Sequence, residues 1–304
     1  MIGAASYGTN PVFAVPLYRD GMDPDSVLFF RYALAIPLVL GLLRLQSHPA
    51  VPSRGGERLG RGFLLAVMGL LMAFSSLFLF QSYNFMHAGI ASTMLFVYPI
   101  MVAVIMALFF HERFSLRIGL CLAMALAGIL LLYKGEDGAT LSLRGTMLVM
   151  ASSLSYALYI VGTSRRPLRD IPSLRLTLCV LIFGMLLFAG RLLWKGELLI
   201  PTAEHWYLWF DIAALAVFPT LISFLCTTAA IQQIGSTPTA ILGAFEPVSA
   251  VVLGILFLSE TLTLRDVAGM VLILVAVTLV VAGARTFRLL DRLRPKLRLH
   301  RHNH

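Results

Sequence analysis

Residues 99–117 and 247–265 repeat one pattern, 148 positions apart. Pro99 aligns with Pro247, Val104 with Val252 and Leu108-Phe109 with Leu256-Phe257; Glu112 then aligns with Glu260, and Leu116-Arg117 with Leu264-Arg265. Each copy is an apolar run that closes on a carboxylate, passes a hydroxyl (Ser115, Thr263) and opens a second apolar run. Membrane chains assembled from two such halves are the pattern of secondary transporters, whose substrate site lies where the halves meet.

Composition says which solvent the halves face. Hydrophobic residues make up 59% of the chain and charged residues 13%, against about 25% charged in a soluble domain. Too little polar surface remains to meet water, so lipid is the solvent. At roughly 20 residues per span, 304 residues hold about ten helices and no soluble domain. Cys121, Cys179 and Cys226 sit inside apolar runs. They read as small packing residues rather than a disulfide framework.

Apolar runs between charged or Pro/Gly breaks predict helices near 1–18, 26–45, 62–84, 89–110, 116–133, 144–163, 172–194, 206–231, 238–258 and 264–284. The net charge of +9 is uneven: from Arg285 onward seven Lys/Arg face Asp291 alone. Such a tail beside a membrane helix anchors on anionic cytoplasmic lipid. It is too short to suggest nucleic-acid binding, and its final His-Arg-His-Asn-His is a solvated end rather than a metal site. With this tail in the cytoplasm, seventeen Lys/Arg fall in cytoplasmic loops and six in outer ones, the positive-inside bias. Both termini are then cytoplasmic, in a multi-pass protein of the cytoplasmic (inner) membrane. Five spans per half is odd, so the second half is inserted upside down. The fold class is therefore all-α membrane protein, ten transmembrane helices in two inverted five-helix repeats (1–134 and 144–284), followed by the basic tail 285–304. The first span is short and polar (Ser6, Tyr7, Thr9, Asn10). Either it lines a cavity or the true start lies upstream of Met1; a cleavable signal peptide does not fit, for lack of a basic leader and cleavage site.

The order and spacing of several motifs give a resemblance along nearly the whole chain. Tyr7-Gly8-Thr9-Asn10 resembles the Trp-Gly-x-Asn opening of EamA-type transporters of the drug/metabolite transporter superfamily, with Tyr for Trp. Arg31, Tyr98-Pro99 with Glu112, Glu246-Pro247 with Glu260, and Ser155-Tyr156-Ala157-Leu158-Tyr159 continue the likeness. The resemblance implies a central cavity walled by spans 1, 3, 4, 6, 8 and 9, and export of small metabolites such as amino acids or related compounds.

Glu246 is the sharpest site candidate. It lies about 12 Å below the cytoplasmic interface, counting 1.5 Å per helical residue, and its repeat twin Tyr98 sits at similar depth from the other side. A carboxylate there costs roughly 2.5–3.5 kcal/mol, so such groups face a cavity or a partner. Pro247 frees a carbonyl in the turn before it. Glu246 either lines the cavity or is a protonated acid bonded to a neighbouring helix. Arg31, about 7 Å from the outer interface, is read as structural. Pairing with Asp211 across helices and outward snorkelling are its two options, whereas the depth difference argues against an Arg31–Glu246 pair. Glu112 and Glu260 stand at corresponding ends of the halves, but the hydroxyls after them suit helix capping better than gating. Asn10, Gln81, Ser82, Tyr83, Tyr156, Tyr159, Ser223, Thr227 and Thr228 are polar positions on cavity spans; such groups also bond neighbouring helices. Phe74, Phe78 and Phe80 read as lipid-facing or packing residues, and His87 and His111 are weak proton-relay candidates.

No enzyme motif, phosphate loop or metal-ligand spacing is present in the sequence, so no catalysis, cofactor or metal is expected. The reading is a secondary transporter that exports small organic metabolites by alternating access. Tyr7, Asn10, Ser82, Tyr98, Tyr156, Ser223 and Glu246 would form the substrate site, and Glu246, Arg31 and Asp211 would be the coupling or structural charges. The partners are a small-molecule substrate and membrane lipids, with no nucleic acid and a monomeric chain. Exchange of nucleotide sugars or sugar phosphates is the alternative, and would favour several cavity Lys/Arg. A membrane scaffold or receptor with no transport cycle is the alternative of another class.

Overall fold

The computed structural model describes residues 2–45, 55–110, 116–133, 142–163, 168, 171–234, 239, 243, 245–259 and 262–279. The tail 285–304 and the carboxylates Glu112 and Glu260 lie outside these residues. Everything regular among them is helical. The first predicted span is two helices, α1 (Ile2–Tyr7) and α2 (Asn10–Arg19), broken at Gly8-Thr9. After α3 (Pro24–Leu45) and α4 (Gly55–Ser82) the fourth span is again split, into α5 (Ala88–Leu95) and α6 (Tyr98–Phe110). Next come α7 (Leu116–Tyr133), α8 (Leu143–Thr163) and α9 (Ser173–Lys195). The eighth span is α10 (Leu208–Leu215), a π-helical segment Ala216–Ile222, and α11 (Ser223–Ile234). Then follow α12 (Phe245–Leu258) and α13 over 264–279.

Among the described residues, six helical stretches are long and apolar enough to cross a membrane: Pro24–Leu45, Gly60–Ser82, Ala88–Phe109, Leu143–Thr163, Ser173–Lys195 and Leu208–Ala230. Gly119–Leu131 and Phe245–Leu258 are shorter apolar helices. The chain is thus a multi-pass, all-helical membrane protein.

Local chemistry sets the helix ends. Asp23 caps α3 by accepting the Ser26 N–H at 2.9 Å, with Pro24 at the first helical position, where its missing N–H costs nothing. Gly196 ends α9 in the left-handed region (φ 73°) and donates its N–H to the Leu192 carbonyl, as a C-terminal glycine does. Thr263 and Asp266 exchange side-chain-to-backbone bonds ahead of α13, a capping-box arrangement.

The breaks in spans 4 and 8 share one cause. A proline has no N–H for the carbonyl four residues earlier, and in lipid that carbonyl must find another donor. Pro99 frees the Leu95 carbonyl, and Ser153 of α8 donates to it at 2.9 Å. Pro219 frees the Leu215 carbonyl, and the Thr220 hydroxyl donates to it at 2.8 Å. The repair of span 4 therefore ties two helices together, whereas the repair of span 8 stays local and leaves a π register.

Packing runs mainly between the two halves. α4 packs on α8 and α9, α3 on α9, α5 on α12, and α1 and α2 on the eighth span. Small hydroxyls join α4 to α8: Ser75 and Ser152 lie 3.1 Å apart, and Ser152 also donates to the Ser75 carbonyl. Tyr32 packs edge-on against Phe188 and hydrogen-bonds Ser76.

One end of the bundle carries a polar cluster. Asp25, wholly buried, receives Arg191 Nε at 2.6 Å and also pairs with Lys195. Lys195 reaches Asp23 at 2.8 Å. Asp20 accepts from the Thr202 amide and hydroxyl and contacts the His205 ring. Arg19 donates to the Leu258 carbonyl at the end of α12. The Thr202 amide and the His205 ring hold Asp20 below the usual carboxylate range. Partial burial pushes Asp23 up, but bonds from Lys195 and Ser26 outweigh it and hold it low. Trp194, Trp206 and Trp209, the chain's three tryptophans, are exposed near the same end, as an interfacial aromatic belt would be.

Two outcomes follow for this cluster. Asp25→Asn removes the charge that holds Arg191 and Lys195, and should cost about 1–3 kcal/mol, seen as a lower melting temperature in detergent. Because Asp20 and Asp23 are depressed in the folded state, their stabilisation is complete above the unfolded carboxylate range. It should be lost as pH falls through their lower folded values, so the melting temperature should decline only in acid.

Candidate functional site

A narrow cleft opens between the first, third, sixth and eighth spans. Tyr7, Met72, Tyr156, Tyr159, Ser223, Phe224, Thr227 and Thr228 line it. Its enclosed space is on the scale of about one water molecule, so the helices stand close together here. The lining is aromatic on α1 and α8 and hydroxylic on α11, immediately after the π segment. Ring contacts extend the aromatic wall: Tyr156 stacks on Tyr159 at 6.1 Å and meets Tyr98 edge-on at 4.6 Å.

Glu246 stands at the start of α12, buried at 7% exposure. Its backbone packs on the break in the first span. A Cβ on Gly8 would come within 2.7 Å of the Glu246 carbonyl and 2.6 Å of the Ser249 side chain. Only glycine allows α1 and α2 to approach α12 this closely, which gives Gly8 of the Tyr7-Gly8-Thr9-Asn10 opening a steric reason. The Glu246 carboxylate lies within electrostatic range of Tyr7, Tyr83, Tyr98 and Tyr156. Among the described residues it has no hydrogen bond, ion pair or cationic neighbour.

Arg31 is fully buried and does not snorkel. It donates through Nε to Thr220 Oγ1, through Nη1 to Asn10 Oδ1 at 3.0 Å and through Nη2 to the Pro219 carbonyl at 3.2 Å. Its guanidinium lies 5.3 Å from the Phe80 ring centre and 6.0 Å from that of Tyr32. One side chain on α3 thus grips the interruptions in both the first and the eighth spans. The Arg31–Asp211 pair, the other option read from the sequence, is not made either. Arg31 is committed to span 8 eight or nine residues further on, where Pro219 and the π register present a carbonyl and a hydroxyl. Asp211 is half-buried without an ionic partner among the described residues.

The expected site residues therefore divide. Tyr7, Tyr156 and Ser223 line the cleft, and Tyr98 backs it through Tyr156. Asn10 faces Arg31. Ser82 bonds back to the Leu79 carbonyl of its own helix. Ser6 binds the Phe218 carbonyl, holding α1 to the π segment. Met72 and Phe224 are lining residues that the sequence reading did not single out, being indistinguishable there from packing residues. Thr220 was also missed, although a Pro-Thr pair inside an apolar run is a legible sign of a freed carbonyl.

Comparisons with known proteins bear on what this arrangement serves. Residues 1–134 and again 143–282 match the EamA-like transporter family. An uncharacterized transporter of Bacillus subtilis, YcbK, is 26% identical over 275 residues, spanning 88% of this chain and 87% of that protein. An uncharacterized transporter of Synechocystis, sll1319, is 30% identical over 234 residues, 73% of this chain and 65% of that one. A solved crystal structure with 18% identity superposes at a TM-score of 0.64, covering 94% of this chain and 96% of the other; that likeness shows the fold.

The Gly8 contact supplies a test. Gly8→Ala should force the first span off α12, cost roughly 1–3 kcal/mol by overpacking and lower the melting temperature. Gly21→Ala would serve as a poor control because its backbone is left-handed (φ 92°). Gly190→Ala, with open space around it, should leave the melt nearly unchanged.

Proposed function

The chain belongs to the EamA-like transporter family, and from that premise we propose that it exports small organic metabolites, amino acids or related compounds, across the cytoplasmic membrane by alternating access. Glu246 carries the reading. A buried carboxylate without a counter-ion among the described residues, within electrostatic range of the cleft tyrosines Tyr7 and Tyr156, is a ready partner for an ammonium group or a coupling proton. The substrate site consists of Tyr7, Asn10, Ser82, Tyr98, Tyr156, Ser223 and Glu246, with Arg31 and Asp211 as accompanying charges. Arg31 is the only Lys or Arg fully buried among the described residues. A single fixed cation is poor provision for a nucleotide sugar or sugar phosphate.

Ten spans in two inverted repeats, 1–134 and 144–284, with the basic tail behind them, complete the proposal. The double family match supports it. So does the pairing of helices. Span 3 packs on span 6 as span 1 packs on span 8, and spans 2 and 7 and spans 4 and 9 pack as pairs. Gly128 of span 5 lies against Ile273 and the Gly269 carbonyl of span 10. Those are the pairs that a two-fold axis in the membrane plane produces. Both termini are placed in the cytoplasm.

Reconstitution into liposomes tests the function. Glu246→Gln keeps the side chain's shape and removes its charge, so transport should fall at least about tenfold, or 1.4 kcal/mol, with the melting temperature retained. Near-normal export by the folded variant would return Glu246 to a packing role. For topology, single cysteines in loop 134–143 of a cysteine-free background should react only from outside. Reaction only from the cytoplasm would overturn the proposed orientation.

A further inference from the structure

The connection between spans 7 and 8 bonds to the other half of the chain. It begins at Gly196, which ends α9, and runs without a regular helix to the short turn Ala203–His205. Its Leu199 amide donates to Ser26 Oγ at 3.0 Å and its Thr202 amide to Asp20 Oδ2 at 3.0 Å. Thr202 Oγ1 adds a bond to Asp20 Oδ1 at 2.9 Å, and the His205 ring meets the same oxygen. At the root of the connection, Arg191 and Lys195 pair with Asp25, and Lys195 also pairs with Asp23. A surface segment can leave its amides to water. This one spends them on residues 20–26, the turn between spans 1 and 2 and the first turn of α3.

Those bonds lie over one way into the cleft. Successive spans alternate in direction, so the end of span 1, the end of span 7 and the start of span 8 share one face of the bundle. Asp20 follows span 1 and His205 precedes span 8, and both spans wall the cleft. Counting 1.5 Å per helical residue, Met72 is about 15 Å from the end of α4 on that face and Tyr156 about 20 Å from the start of α8. The cleft thus stands at or beyond the middle of a core about 30 Å thick. A solute coming from this face must pass the helix ends that the connection holds together. The ion pairs there suit a closure that opens. The Asp25 side chain is 1% exposed, but those of Arg191 and Lys195 are 36% and 42% exposed. Water already screens the cations, and lifting the connection would hydrate Asp25 as well. Parting the pairs therefore leaves no unpaired charge buried.

We propose that residues 196–205 form a strap that closes this face over the cleft, and that its release from Asp20, Asp23, Asp25 and Ser26 opens the cleft to that side. The inference rests on the alternating-access reading above and assigns one of the two closures that such a cycle needs. Arg31 ties spans 1 and 8 at a deeper level, through Asn10 and the Pro219 carbonyl, and stays intact when the strap is released.

Side-specific labelling of the full-length chain tests it. Cys121, Cys179 and Cys226 are replaced by alanine, and Thr227→Cys places one thiol in the cleft lining. Asp20→Cys and Thr202→Cys are then added together. Reduced, this pair lacks the Asp20 bonds; oxidised to a disulfide, it holds the strap shut. The probe is a permanently charged methanethiosulfonate, applied to sealed vesicles from one side at a time, with modification at position 227 read by mass spectrometry. A separate single cysteine in loop 134–143, on the strap's face by the alternation of spans, identifies that side. From the strap's side, labelling should be at least about tenfold faster in the reduced pair than in the Thr227→Cys parent, and at least about tenfold slower in the oxidised pair than in the reduced one. If the pair does not fold, Asp25→Asn in the Thr227→Cys parent should give the same rise. The inference is overturned if release brings no rise or if locking brings no fall. Labelling from both sides whatever the state of the strap would overturn it and leave alternating access standing. Labelling from one and the same side in every variant would remove alternating access itself, and the strap with it.

Discussion

A backbone carbonyl deprived of its donor cannot turn to water inside a bilayer, and much of this structure answers that constraint. Pro99 and Pro219 each release one carbonyl. Ser153 repays the first from another helix, and Thr220 repays the second from the next turn of its own. Thr220 then has its oxygen free to accept from Arg31, while the Pro219 carbonyl accepts from the same guanidinium. A buried arginine would be costly alone. Here it is surrounded by acceptors that the proline made available, together with two aromatic rings. The irregular stretch of span 8 and the charge of Arg31 therefore stabilise each other, and neither is intelligible without the other.

The same grip explains why the first span is broken where it is. Gly8 admits the α12 backbone, so the chain can bend against Glu246. Asn10, two residues on, is then placed to accept from Arg31. The break, the buried carboxylate and the buried arginine come from three distant segments, yet a single short turn positions all three. Non-helical backbone at this depth is tolerated only where protein or a cavity surrounds it, and both surround it here.

Helix existence was legible because lipid imposes a simple test, a long apolar run. The helical residues fall close to the predicted spans 26–45, 116–133 and 144–163. The interruptions inside spans 1, 4 and 8 were not legible as breaks, because apolar periodicity continues through them. Only the prolines and Gly8 mark them, and a proline in a membrane helix predicts a freed carbonyl without saying which side chain will satisfy it. That is why Asp211, a charge, and outward snorkelling were the two options open for Arg31, when hydroxyl, amide and carbonyl acceptors on Thr220, Asn10 and Pro219 hold it instead. Tyr7, Tyr156 and Ser223 were readable as cleft residues because tyrosine and serine are conspicuous on apolar helices. Met72 and Phe224 were not, since nothing in their type separates lining from packing.

The cleft and the polar cluster occupy different ends of the bundle, and the bonds at each are of a different kind. Arg19 and Asp20, at the end of the first span, are held by the Leu258 carbonyl of α12 and by Thr202 and His205 before α10. Asp23 and Asp25 hold the end of α9. Those bonds join the first half to the second at one face only. The cleft lies further along the same helices, beyond the π segment of span 8 and the break in span 1. Asp25 is buried, whereas its partners Arg191 and Lys195 are partly exposed, so solvent screens these ion pairs from one side. Nearer the cleft the two halves are joined by neutral acceptors instead: Arg31 donates to Thr220 and to the Pro219 carbonyl, Ser6 to the Phe218 carbonyl, and Ser152 to the Ser75 carbonyl. The halves are therefore bonded at both levels, by charge at the solvent-facing end and by hydroxyl, amide and carbonyl groups within the bundle.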